Sequence, residues 1–221
     1  MTGNSMSVRG FVAVLLLAAT TAFSQAQADS VTYTMSTSTP YLTTSPYTLA
    51  SMSVPKFNLP GQCLTSVCVS LSTQAYGYVG LENFDNFPKT VNTTFAAQVV
   101  LLRPDLTSLL TLTPTMSLVF PLASYDGVAD YDGSSGLTAS GLSVTAANTV
   151  CLTAAPELAL FTGVGVANLP CTAVNASTQS GANSWTFGVQ VAAELSLTYT
   201  YLDCTVAEEP STWGGVKSLF R

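Results

Sequence analysis

From Trp185 to Tyr201 apolar and polar residues alternate without interruption. Trp185, Phe187, Val189, Val191, Ala193, Leu195, Leu197, Tyr199 and Tyr201 hold the odd positions, and Thr, Gly, Gln, Ala, Glu and Ser fill the even ones. A period of two places one face of a strand against a core and the other in water. The run exceeds an ordinary strand, which predicts a bend or bulge near Ala192–Ala193. The same alternation recurs in shorter stretches: 30–37, 47–54, 63–71, 75–81, 90–102, 116–122, 137–146 and 157–164. Pro121 marks the 116–122 stretch as an edge or a strand end. Leu106–Leu112 reads as one helical turn. Pro60-Gly61, Asn83 to Pro88, Arg103-Pro104-Asp105, Pro114 and Ser180-Gly181 punctuate the runs as turns.

Many short strands with few helical windows predict an all-β domain, an antiparallel β-sandwich with jelly-roll or Ig-like layering. Composition agrees. Charged residues make up 8% of the chain, against about 25% in an average soluble domain. A helical domain would cover its outside with Lys, Glu and Arg, because these long chains lose little freedom on a helix. Here Ser and Thr carry the polar role, and Thr, Val, Tyr and Phe suit a pleated surface. The net charge of −6 argues against nucleic acid and anionic membranes as partners, since both call for a basic patch.

The first residues have the parts of an export signal. Arg9 supplies a positive start, Phe11–Phe23 is an uncharged apolar run, and Ala26-Gln27-Ala28 is a cleavage motif. The apolar run is shorter than the roughly 20 residues that span a bilayer, so the mature chain is expected to lack a transmembrane helix. Residues 1–28 are thus expected to be a signal peptide, 29–205 one sandwich domain and 206–221 a tail. In that tail, Glu209, Pro210, Ser211, Thr212 and Trp213 open a stretch in which Ser211 or Thr212 would cap a short helix. Trp213, Val216, Leu219 and Phe220 would share its apolar face.

Export predicts disulfides among the five cysteines, with at least one left over or paired to another chain. Cys63 and Cys68 would point to opposite faces of a strand, which argues against a bridge between them. Cys151 and Cys171 flank one apolar segment and are the preferred pair. Without C-x-x-C or any histidine, zinc is disfavoured.

One stretch concentrates the candidate chemistry: YDGVADYDGSSG, residues 125–136. Asp126, Asp130 and Asp132 offer oxygen ligands for calcium, and Gly127 and Gly133 permit a tight path. An EF-hand does not fit, because placing Gly133 at the sixth loop position puts Val128 first and Ala139 last. The alternative is a pair of turns, since Asp-Gly favours hairpins and Asp bonds its own downstream backbone. Catalysis by these acids is a third reading. It is disfavoured because no histidine is available for a triad, and nothing marks a two-acid cleft of the kind a glycosidase needs. Asn92-Thr93-Thr94 and Asn175-Ala176-Ser177 match glycosylation sequons without further support.

Three ordered motifs resemble one family. KFNLPGQCLTSVCVSL (56–71) is similar to the F-x-P-x-x-G-x-L-x-x-V opening strand of the bacterial choice-of-anchor E domain. YDGVADYDGSSGLT (125–138) resembles its F-D-G…D-F-x-G-x-S-G segment, and the stretch from Phe161 to Tyr201 resembles its F-x-G-x-G…tyrosine-rich close. The resemblance implies an exported β-sandwich on a bacterial surface, with no established molecular role. Family members commonly end in a PEP-CTERM-type sorting signal. Here EEPSTW resembles the start of one, while GGVKSLFR stands where an apolar helix and basic cluster would follow.

These observations lead to one expectation and two alternatives. The expectation is a secreted or surface-displayed sandwich without catalysis and without a cofactor, structural or adhesive in the envelope or extracellular matrix. Its partners would be extracellular polysaccharide or other surface proteins, besides the export and sorting machinery. The first alternative is a calcium- or carbohydrate-binding module built on Asp126, Asp130 and Asp132, with nearby tyrosines as a sugar platform. The second is a hydrolase of extracellular polymer.

Overall fold

The computed structural model describes residues 28–42, 46–49 and 52–204. The expected signal peptide, except for its last residue Ala28, and the tail from Glu209 to Trp213 lie outside the described residues. Two long strands organise the molecule: β4 (Gln62–Glu82) and β12 (Ser184–Asp203) pair antiparallel along their whole length. β1 (Asp29–Ser38) lies on the other side of β12, and β8 (Gly136–Leu152) on the other side of β4. The four-stranded sheet therefore runs β1-β12-β4-β8.

The second sheet is built around β5 (Lys89–Leu102). β10 (Cys171–Asn175) and β11 (Thr178–Ser180) pair with it, as do β6 (Ser108–Leu112) and β7 (Thr115–Leu122). β2 (Tyr47–Thr48) adds to β10, and β3 (Met52–Pro55) pairs with β9 (Val166–Leu169) as a separate ribbon. All these pairings are antiparallel. The two main sheets pack as a sandwich, and the described residues form one domain.

Alternation decides what lies between the sheets. Val67, Val69, Leu71 and Ala75 of β4, and Val189, Val191, Leu195, Leu197 and Tyr199 of β12, point inward and are buried. They share a core with Phe95, Ala97, Val99 and Leu101 of β5 and with Cys171 and Ala173 of β10. Each large apolar side chain buried this way contributes about 1.5–3 kcal/mol. At one edge Tyr199 packs edge-on against Tyr33 and Phe57, and its hydroxyl donates to the Pro55 carbonyl at 2.9 Å. Burial, with Tyr33 beside it, holds this phenol above its usual range.

Several local expectations are corrected. The stretches 63–71 and 75–81 are one strand, because buried Thr73 donates its hydroxyl to the Ala146 carbonyl at 3.3 Å. The expected helical turn at Leu106–Leu112 is a hairpin leading into β6. Asp105 Oδ1 accepts from the Thr107 amide (3.0 Å) and hydroxyl (2.6 Å), and Leu106 takes φ of 67°. The expected strand at 157–164 is instead a short helix, α1 (Ala155–Ala159). Pro156 has the fixed φ that suits a first turn, and Glu157 pairs with Arg103 at 2.8 Å. Irregularities fall at Thr200/Tyr201 and at Gly77/Tyr78, not at Ala192–Ala193. Trp185, the second residue of β12, remains 52% exposed despite its inward parity.

The preferred disulfide is corrected too. Cys151 bonds Cys68, directly opposite it on β4, and Cys63 bonds Cys204. Cys171 is the free thiol. Its side chain points into the core while Cys151 sits on the outer face of the other sheet, so the two cannot meet. Burial pushes the Cys171 thiol up to about 11. Cys63 and Cys68 are not bonded to each other, but their expected opposite orientation is corrected: the bulge at Thr200/Tyr201 adds Thr65 to β4, so both cysteines lie on the outer face, opposite Leu202 and Thr198. Disulfides form and persist in oxidising compartments. Among the described residues no helix is long and apolar enough to cross a membrane.

Candidate functional site

The core-facing side of the four-stranded sheet is apolar; its other side faces outward and is paved with small polar residues. Along β4 that side carries Ser66, Cys68, Ser70, Ser72, Gln74, Tyr76 and Tyr78, and along β12 it carries Gln190, Glu194, Ser196 and Thr198. The cross-strand register brings matching residues together. Ser70 and Thr149 hydroxyls lie 2.7 Å apart, those of Thr32 and Thr198 lie 2.8 Å apart, and Gln74 Nε2 donates to Ser143 Oγ at 2.8 Å. Such hydroxyl pairs stabilise a sheet without charge.

The aspartate stretch closes one end of this face. The last even positions of β4 are Gly80 and Glu82, and the 123–136 loop folds over them. Glu82 is buried. Its Oε1 accepts from Ser135 Oγ and its Oε2 from the Tyr131 amide, both at 2.8 Å. Tyr131 donates or accepts through its hydroxyl to Ser184 Oγ at 2.8 Å, and its ring lies over Gly80, where a Cβ would meet ring carbon at 3.2 Å. These three contacts hold Tyr131 at φ of 58°, a conformation that persists only where surroundings over-determine it. At Gly136 a Cβ would lie 2.5 Å from Glu82 Oε2 and from the Asp132 backbone, so only glycine fits. Asn83, also buried, donates through Nδ2 to the Ala123 (2.7 Å) and Phe87 (2.9 Å) carbonyls and fastens the loop's root.

Within the loop the three aspartates act on the backbone. Asp126 Oδ1 accepts from the Val128 amide at 3.0 Å, and its Oδ2 accepts from Ser134 at 3.3 Å. Asp130 Oδ1 accepts from the Asp132 amide at 3.0 Å, and Asp132 Oδ1 from Gly133 at 2.8 Å. These are the turns that Asp and Gly favour. The Val128 amide, with help from Ser134 and Ser135, holds the Asp126 carboxyl below its ordinary range. Among the described residues no group of three acids, cysteines or histidines is placed to hold a metal ion. Asp126, Asp130 and Asp132 are thus neighbours in sequence that the fold does not converge on one point.

Beyond the capped end the outer face opens into a trough. Tyr41, Gln74, Tyr76, Tyr78, Gln190 and Ser143 border its widest part, a groove of ≈ 510 Å³ that opens broadly to solvent. Three features shape it. Tyr78 lies where a side chain at position 188 would stand, so Gly188 is what lets the ring lie across β12. Gly141, at φ of 71°, is the extra residue of a bulge opposite Gly77/Tyr78, and a bulge bends and twists its strand locally. The chain after β1 continues beside β12, with the Leu42 amide donating to the Val189 carbonyl at 2.6 Å and the Thr39 amide to Val191 at 2.8 Å. Leu42 turns inward, and Tyr41 faces out, edge-on to Tyr78 with ring centres 5.9 Å apart. Two smaller grooves continue the trough, one bordered by Ser36, Ser72, Gln74 and Glu194, the other by Ser70, Ser72, Thr149, Glu194 and Ser196.

Sequence reasoning did not single out Glu82, Gln74, Gln190, Tyr41, Tyr76 or Tyr78. Parity carried the signal for four of them: Gln74, Tyr76 and Tyr78 follow Ser66, Ser70 and Ser72 in phase once β4 is read as one strand, and Gln190 stands on the wet side of β12.

No family model and no curated protein matches the chain. Solved structures give distant matches. One is the crystal structure of the T13 IBDV viral particle, at 11% identity and TM-score 0.29, covering 79% of this chain and 35% of that one. Another is the infectious bursal disease virus Gx strain, at 12% identity and TM-score 0.22, covering 80% and 37%. A third is the Gt strain of that virus, at 13% identity and TM-score 0.22, covering 83% and 39%. The chain thus spans between a third and two fifths of the proteins it matches. Likeness this distant says nothing about what the chain does.

Proposed function

We propose that this is an exported, surface-displayed β-sandwich of the choice-of-anchor E kind, without catalysis, that adheres to envelope or matrix material through the outer face of its four-stranded sheet. The observation that carries the reading is that face itself. Among the described residues nothing covers one side of the four-stranded sheet over most of its length, and that side is paved with hydroxyls and amides instead of the charges that usually keep a surface solvated. A neutral hydroxyl surface loses little on desolvation compared with a charged one, and it offers donors and acceptors in every direction. The two disulfides suit an extracellular setting, and the three sequence motifs support the family. The tail from Glu209 to Trp213 would serve sorting.

Beads coated with the processed protein, applied to cells and matrix of the producing organism, test the reading. Ser72→Lys combined with Ser196→Lys puts two charges in the trough while leaving the core alone. Bead retention is expected to fall at least tenfold with an unchanged melting temperature. Full retention by a variant that melts like the original would overturn the reading.

A further inference from the structure

We propose that the tyrosine end of the trough binds neutral polysaccharide, a deepening that rests on the adhesive reading of the same face. A pyranose ring has an apolar C–H face and a rim of hydroxyls that both donate and accept. A matching site needs an aromatic surface to lie against and uncharged polar groups around it, and binding sites in general combine the two. Both are present. Tyr78 lies across β12 over Gly188, Tyr41 stands against it edge-on, and Tyr76 follows on the same strand face. Tyr76 stands between Gln190 on β12 and Ser143 on β8, its cross-strand partners on either side. Among the described residues no hydrogen bond engages the Gln190 amide, which leaves a donor pair and an acceptor open to a ligand. Gln74, which donates to Ser143, keeps its amide oxygen as a further acceptor.

Charge decides between ligand classes. No ionisable acid or base other than tyrosine borders the groove, and the nearest charge along the trough is the carboxylate of Glu194. With a net charge of −6 and no cation among the described residues that border this surface, an anionic polymer would meet repulsion without a counter-charge. A neutral chain meets none, and Glu194 adds an acceptor for its hydroxyls. Shape decides between a small molecule and a polymer. From Tyr78 to Ser70 the face runs roughly 26 Å at the strand rise, open along its length. An extended chain can lie in such a trough, whereas a small ligand would be only partly enclosed.

Native electrophoresis of the processed chain through gels holding hydroxyethylcellulose, dextran or laminarin, with alginate as the anionic comparison, tests this. At least one neutral gel should retard the protein and alginate should not. Tyr76→Ala and Gln190→Ala should each weaken retardation at least tenfold, and Val119→Ala, on exposed β7, should leave it unchanged, all at the melting temperature of the original. Absence of retardation in every neutral gel, equal retardation by alginate, or full retardation of Tyr76→Ala would overturn the proposal. If beads still adhere and lose adhesion with the Ser72→Lys, Ser196→Lys pair while no neutral gel retards the protein, the ligand class is wrong and the adhesive face stands. If the bead test fails as well, both fall.

Discussion

Glu82 and Gln74 stand on the same strand, on the same side, eight residues apart, yet one is buried and the other exposed. Over Glu82 the aspartate loop has folded down, and every polar atom it covers has a partner: Ser135 and Tyr131 on the carboxylate, the Ala123 and Phe87 carbonyls on Asn83. Among the described residues none folds over Gln74, which bonds the Ser143 hydroxyl. The difference teaches that strand parity tells which way a side chain points but not what covers it. A buried carboxylate must be hydrogen-bonded, so the capped end is specified residue by residue. The open end tolerates any small polar residue, unless a ligand selects it.

This contrast is open to attack by mutation. Glu82→Ala leaves the Ser135 hydroxyl and Tyr131 amide buried without a partner and should cost about 3 kcal/mol in urea denaturation. A cost below about 1 kcal/mol would mean that the cap does not depend on this carboxylate. Gly136→Ala should cost about 2 kcal/mol or more, because its Cβ would press on Glu82 Oε2 and the Asp132 backbone. Gly141→Ala, in the same strand but in open space, should cost only about 1 kcal/mol, the penalty of an L-residue at positive φ. Equal losses at 136 and 141 would erase the distinction between covered and open ends. Ser70→Ala with Thr149→Ala removes one hydroxyl pair on the open face and should shift stability by no more than about 0.5 kcal/mol.

A subtler effect is in pH. The folded loop lowers the Asp126 carboxyl below its unfolded value, so this contribution is fully present above about pH 4 and is lost as pH falls through the folded value. Limited proteolysis between Asp126 and Ser134 should therefore accelerate between pH 4 and more acid conditions, and Asp126→Asn should flatten that dependence. Acceleration that is identical in Asp126→Asn would assign the effect to other carboxyls.

The strand map was largely legible because alternation is local: β1, β5, β7 and β12 fall where the pattern puts them. The misreadings have local causes as well. Asp105 and Leu106 make a tight hairpin that mimics the spacing of a helical turn, and Pro156 starts a helix inside a stretch whose apolar content suggested a strand. The aspartate loop was legible as turns and open as a metal site, and its aspartates do bond their own backbone. What organises it, Glu82, stands far away in sequence and gave no signal, since a single acid at a strand end looks like any exposed residue. The disulfides show the same division. Parity set Cys63 and Cys68 on opposite faces, but the bulge that brings both to the outer face is visible only in the β4–β12 register, and choosing Cys151 as the partner of Cys68 required the β4–β8 register.

The amino-acid order alone settled the two-residue period, the scarcity of charge, the alternation of faces between bulges and the turn chemistry of the aspartates, because these depend on near neighbours along the chain. Only the tertiary structure decided which wet surfaces stay wet. Whether a segment returns to cover a strand depends on contacts between residues tens of positions apart, and no short-range pattern encodes that closure. Glu82 under its loop and the tyrosine trough beside it are the two outcomes of that one decision.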